Sequence, residues 1–147
     1  MNFNQNKARE IIMNNYLNSQ FSCDFSHLEH KERTYYSSSC ADTLKISLFW
    51  NQNKLNQVIY EAKGCAIFKA SSEIFLKNII GKSSEEIYKY IELYYLFLDN
   101  PNNFDDLLIE KLNELWCFYN VKIHLNRLSC AKFICESIKK EFKLVNK

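Results

Sequence analysis

Glycine and proline are scarce, with two and one among 147 residues, and no Cys-x-x-Cys pair occurs anywhere. The missing pair excludes the zinc-ribbon pattern. No Gly-x-Ser-x-Gly elbow, glycine-rich phosphate loop or His-Glu-x-x-His segment is present, so a conventional hydrolase finds no support. A long apolar run is also absent. The polar opening Met1–Glu10 is followed by neither a signal-peptide core nor a stretch long enough for a membrane helix, so we expect a cytoplasmic protein with no membrane role. No charge of one sign dominates: 19 basic and 17 acidic residues leave +2, which gives no reason to expect nucleic acid. What the chain has in plenty is Asn, Lys, Ile, Phe and Tyr, a skew that reads as an A- and T-rich genome. With 47% hydrophobic and 24% charged residues it has ordinary globular composition, and its length suits a single domain over 1–147.

The hydrophobic period changes along the chain. Ala8, Ile11, Ile12 and Tyr16 recur at helical spacing and predict a helix over 6–17. Residues 18–39 are polar and read as loop, with a short strand near Arg33–Tyr36. Leu44, Ile46, Leu48 and Trp50 then alternate with Lys45, Ser47 and Phe49. Asn51-Gln52-Asn53-Lys54 supplies a turn, and 57–62 returns, so the spacing predicts a hairpin. After Gly64 the period becomes helical through Ala66, Ile67, Ala70, Ile74 and Ile79, stopping at Gly81. Ser83 with Glu86 three residues on is a capping box opening a helix to about Leu98. A turn over 99–103 precedes a wide stripe of Phe104, Leu107, Leu108, Leu112, Leu115, Trp116 and Tyr119, read as a further helix. A last helix covers about 127–144. The predicted class is α+β, a small antiparallel three-stranded sheet packed against about five helices.

Six cysteines in a reducing compartment are not a disulfide framework; each is a buried small residue, a metal ligand or a reactive thiol. Three stand at joints between elements. Cys40, with Asp42 two positions on, precedes the first clear strand; Cys65 follows the second; Cys130 lies where the last helix is expected to start. Strand ends and a helix start offer backbone amides that favour thiolate, and three thiolates with one carboxylate would complete a tetrahedral zinc site. Taken singly, each cysteine reads as packing before it reads as a ligand. Cys117, beside Trp116, and mid-helix Cys135 keep the packing reading.

In order along the chain, Cys40-Ala41-Asp42-Thr43-Leu44-Lys45-Ile46, Tyr60-Glu61-Ala62-Lys63-Gly64-Cys65-Ala66-Ile67, Ala70-Ser71-Ser72, Gly81-Lys82 and Arg127-Leu128-Ser129-Cys130-Ala131 resemble the motifs of the U-type iron–sulfur assembly proteins SufU, IscU and the N-terminal part of NifU. With Ile11–Tyr16, similar to the family's first helix, the resemblance runs from about residue 8 to 142. Three features point to the SufU branch. Ser129 stands where the IscU branch has His, and Val121–Leu125 lacks that branch's proline pair. The interval of 65 positions from Cys65 to Cys130 is also long, as in proteins with the SufU insertion. Ala41 departs from the usual glycine between Cys and Asp, and Ser37-Ser38-Ser39 from the usual approach to it.

The resemblance implies zinc bound by Cys40, Asp42, Cys65 and Cys130. It also implies that Cys40 accepts persulfide sulfur from a PLP-dependent cysteine desulfurase, with a downstream cluster scaffold or apo-proteins as further partners. The implied alternative is a scaffold on which iron and sulfide form a [2Fe–2S] cluster on Cys40, Cys65 and Cys130. A separate zinc site on Cys23, His27 and His30 has usable spacing but no evident fourth ligand. Arg127, one turn before Cys130, reads equally as support for the site or as a plain surface residue.

Overall fold

A computed structural model of the chain describes residues 3–25, 33–37 and 41–145. Five helices, α1 (Gln5–Leu17), α2 (Ala66–Ile79), α3 (Ser84–Asp99), α4 (Asp106–Leu112) and α5 (Leu125–Val145), accompany three strands, β1 (Arg33–Tyr36), β2 (Thr43–Asn51) and β3 (Lys54–Lys63). The strands form an antiparallel meander in the order β1-β2-β3, and the α+β class expected from the sequence is the one observed.

The hairpin follows from local chemistry. Gln52 and Asn53 take φ of 52° and 65°, the left-handed pair that a two-residue turn matched to strand twist requires. Alternation then places Leu44 and Ile46 opposite Ala62 and Tyr60 on one face, where Leu44, Ile46 and Tyr60 are buried and Ala62 is partly so. Residues 21–23 run beside β3, with Tyr60 N donating to Phe21 O (3.1 Å) and Cys23 N to Tyr60 O (2.8 Å), which covers part of that sheet edge.

Helix α2 is the centre of the core. Phe68, Ala70, Ser71, Ser72, Ile74, Phe75, Leu76 and Ile79 are all buried, and it packs against both α1 and α5. The small Ala70 and Ser71 let α5 approach closely. The Ser71 hydroxyl lies 3.3 Å from Cys130 O, and Phe68 stacks on Phe133 at 5.0 Å. Tyr94 of α3 donates to Ala131 O at 3.1 Å from a fully buried position, fixing the same stretch of α5 from its other side. Tyr90 and Tyr94 are core, while Tyr88 and Tyr95 are partly buried at its edge. The capping box on α3 is formed, Ser83 with Glu86.

The long helix expected after residue 104 is broken. Asn113 adopts φ 52°, α4 ends at Leu112, and 3-10 turns over Asn113–Phe118 and Val121–Ile123 lead to α5. The apolar stripe is still satisfied, because Leu112, Leu115, Phe118 and Val121 are buried through a changed backbone path.

Candidate metal centre

The open end of the hairpin builds the site. Thr43 pairs with Lys63 as the last rung, so Asp42 and Gly64 leave the sheet beside one another. Gly64 has φ 156°, and a Cβ placed there would overlap the Asp42 carboxylate, 2.7 Å from its Cγ and 3.0 Å from Phe68 Cδ2. The missing side chain is therefore the cradle in which Asp42, 3% exposed, lies. Its Oδ1 accepts from Cys65 N at 3.1 Å. Cys65 is the N-cap of α2, exposed, with Sγ accepting from Phe68 N at 3.4 Å. From α5, buried Cys130 donates its thiol to Asp42 Oδ2 at 3.1 Å across 88 positions of sequence. The result is a carboxylate oxygen and two sulfurs all within 4.8 Å of one another.

One expectation is corrected here. Helix α5 begins at Leu125, five residues before Cys130, so the free amides of its first turn do not face this thiol. Cys65 is the cysteine held at a helix N-terminus.

The donor set suits a metal. In a tetrahedral site with metal–sulfur bonds of about 2.3 Å, neighbouring sulfurs sit about 3.8 Å apart, so these three atoms need close by no more than about 1 Å. The thiol proton shared with Asp42 would leave on binding, as metal–thiolate bonding requires. Two sulfurs and one oxygen leave a fourth position, toward which the sequence offers Cys40; that residue lies outside the described ones. So do His27 and His30 of the separate zinc idea, while Cys23 is half-buried with its thiol pushed up by burial, then by Glu61 and Asp24. Cys117 and Cys135 are buried among core residues, and desolvation pushes both thiols well above their ordinary range, with Glu114 and Glu136 adding to it. Arg127 is exposed and makes no part of the metal group.

Sequence reasoning gave Gly64 no role beyond its place in the motif and a strand-to-helix joint. The signal was present: one of only two glycines stands immediately before a cysteine. It also passed over Glu73. That carboxylate, fully buried, accepts from Ser19 Oγ (2.6 Å), Gln20 N (2.8 Å) and Tyr60 OH (2.8 Å), and so ties the 19–23 segment to α2 and β3. A lone glutamate in a helical stripe carries no sign of such partners.

Fold and site together define a domain of the U type, and the chain belongs to the NifU-like N-terminal domain family, whose model matches residues 7–93, more than half of its length. Over 109 residues it is 27% identical to the iron–sulfur cluster assembly scaffold protein IscU of Thermotoga maritima, covering 74% of each chain. The crystal structure of an iron–sulfur cluster assembly scaffold protein for the SUF system, SufU of Fervidobacterium islandicum, superposes with a TM-score of 0.67 at 26% identity, over 84% of this chain and 87% of that one. A NifU-like protein (N-terminal) from Brucella abortus gives a TM-score of 0.77 over 97% and 98% of the two chains; at 16% identity this likeness speaks for the fold alone.

Among the described residues no helix is long and apolar enough to cross a membrane.

Proposed function

We propose that this chain is an iron–sulfur cluster assembly protein of the SufU branch, acting in the cytoplasm as one domain. In this reading Cys40, Asp42, Cys65 and Cys130 hold one zinc ion, and Cys40 accepts sulfur from a PLP-dependent cysteine desulfurase. The observation that carries it is the convergence of Asp42, Cys65 and Cys130 from the hairpin end, the α2 N-cap and α5, donor atoms within 4.8 Å. A bound zinc ion would keep the thiols deprotonated at neutral pH.

The chain's own residues then divide the work. Asp42, held by Cys65 N, is a harder donor than thiolate and suits a site that must open. Cys130, buried and fixed through Ser71 and Phe133, is the anchored ligand. Cys65 is exposed, and so is open to an approaching partner. The Cys40 thiolate attacks the outer sulfur of the desulfurase persulfide. A new sulfur–sulfur bond forms at Cys40, the old one breaks, and its electron pair leaves with the desulfurase cysteine as thiolate.

A second reading is favoured by the names of the two relatives above: the same cysteines carry a [2Fe–2S] cluster that passes to apo-proteins. Elemental analysis of protein purified without added metal separates the two. About one zinc per chain, lost in Cys65→Ala and Cys130→Ala, together with Cys40-dependent transfer of labelled sulfur from a desulfurase, supports the first. Iron with labile sulfide supports the second. Metal content untouched by these changes would sink both.

A further inference from the structure

Two clefts flank the metal centre, and each is rimmed by cations. The first, about 370 Å³, is lined by Arg9, Ile12 and Met13 of α1, Ile67 of α2, and Asn120 and Arg127. Among the described residues no carboxylate lines it. Ile67 is two residues from Cys65 and Arg127 is three from Cys130, so its wall adjoins both ligands. The second, about 350 Å³, is lined by Tyr36, Ser37, Ser129, Lys132, Glu136 and Lys140. It too adjoins the centre, for Ser37 N donates to Asp42 O at 3.0 Å and Ser129 precedes Cys130. Its one carboxylate is outweighed. Glu136 accepts from Tyr95 OH (2.7 Å), and the Tyr95 ring lies under the ammonium groups of Lys132 (4.8 Å) and Lys139 (4.5 Å).

The clefts lie on opposite sides of Cys130. At about 100° per helical residue, Arg127 falls about 60° to one side of it around α5, and Ser129, Glu136 and Lys140 about 80–120° to the other. Each cleft also presents a large apolar side chain to solvent, Met13 at 46% exposure and Tyr36 at 71%. Apolar anchors within a predominantly basic rim are the make-up of a protein-docking surface. Nucleic acid fits poorly, because its binders neutralise roughly 6–10 phosphates along a continuous track, whereas these few cations stand in two separate groups.

We propose that a protein partner straddles the metal centre: the element that reaches Cys65 is bordered on both sides by carboxylates, which enter the Arg9–Arg127 cleft and the Lys132–Lys140 cleft. This rests on the reading above, in which a cysteine desulfurase delivers sulfur here, and it assigns to that partner an acidic, two-sided contact.

The test is isothermal titration of the zinc-loaded chain with the desulfurase at low and high salt, using Arg9→Glu, Lys140→Glu and the double variant. Neither residue belongs to the metal group. Lys89→Glu, on α3 and lining neither cleft, is the control. We expect each reversal to weaken binding about tenfold and the pair about a hundredfold, since each removes an attraction and adds a repulsion. The salt dependence should flatten in the same order, with zinc content unchanged and the control silent. Binding that ignores both reversals, or falls as far with Lys89→Glu, overturns the two-sided contact alone. A fall in zinc content instead of binding also overturns it, because the cations would then serve the charge of the centre itself. Wild-type protein that fails to bind the desulfurase removes the partner on which both readings stand.

Discussion

Gly64→Ala is the sharpest single perturbation this structure offers. The added Cβ would lie 2.7 Å from Asp42 Cγ, where ordinary contacts begin near 3.4 Å, so the carboxylate must retreat by about 0.7 Å or more. That carries Oδ1 away from Cys65 N, now 3.1 Å distant, beyond hydrogen-bonding reach. A hydrogen bond to a carboxylate contributes about 1.5–3 kcal/mol, and a left-handed φ in a non-glycine residue costs about 1–3 kcal/mol. The fold should therefore lose roughly 2.5–6 kcal/mol. Metal affinity should fall about 10- to 100-fold, as it does when the groups that aim a ligand are removed. Gly81→Ala separates the two effects. Gly81 also has a positive φ, 86°, but a Cβ there meets nothing within 4 Å. It should cost about 1–2 kcal/mol of stability and leave metal affinity untouched. The assays are competition for zinc against a chromophoric chelator and thermal melts of the metal-free protein. Wild-type zinc affinity in Gly64→Ala would refute the cradle, as would an equal loss of affinity in Gly81→Ala.

Three further outcomes are expected. Glu73→Ala leaves Ser19, Gln20 N and Tyr60 OH without their shared acceptor, and should destabilise by about 3–5 kcal/mol, or roughly 10 °C in Tm by circular dichroism. A change within 2 °C, well below that estimate, would mean the network contributes little. Bonds from the Ser83 backbone and side chain hold the Glu86 carboxyl below its usual 4.5. A depressed carboxylate stabilises above its unfolded value and loses that contribution as pH falls through the folded one. NMR titration of Ser83→Ala should find Glu86 titrating higher than in wild type, and an unchanged titration would exclude the Ser83 hydroxyl as a contributor. Finally, iodoacetamide followed by mass spectrometry should modify Cys65 in the metal-free folded protein, while Cys117 and Cys135 react only on unfolding, being buried with raised thiol values. Labelling of either buried thiol as fast as Cys65 would contradict that packing.

Much of the fold is written in short-range signals. The alternation from Leu44 to Trp50, the Ser83–Glu86 box and the shift to helical period after Gly64 each depend on residues within one turn or strand, where sterics and hydrogen bonding decide. The same range explains why Cys65 could be placed at a joint. It does not reach the break at Asn113, where the stripe from Phe104 to Tyr119 looks like one helix. Burial of Leu115 and Phe118 against α2 and α3 is satisfied by a 3-10 path instead, and tertiary packing outweighs local propensity.

By itself the sequence determined the α+β class, the hairpin, the capped start of α3 and the place of Cys65 at an element end. Only the tertiary structure decided that Asp42 and Cys130, 88 positions apart, share a proton at 3.1 Å. It alone decided that Gly64 leaves room for that carboxylate, and that Glu73 faces inward to three donors. The physical reason is the same in each case. Periodicity assigns a side chain to a face, while its partners are set by how the open end of the hairpin and α5 pack on α2, through contacts between residues far apart in the chain.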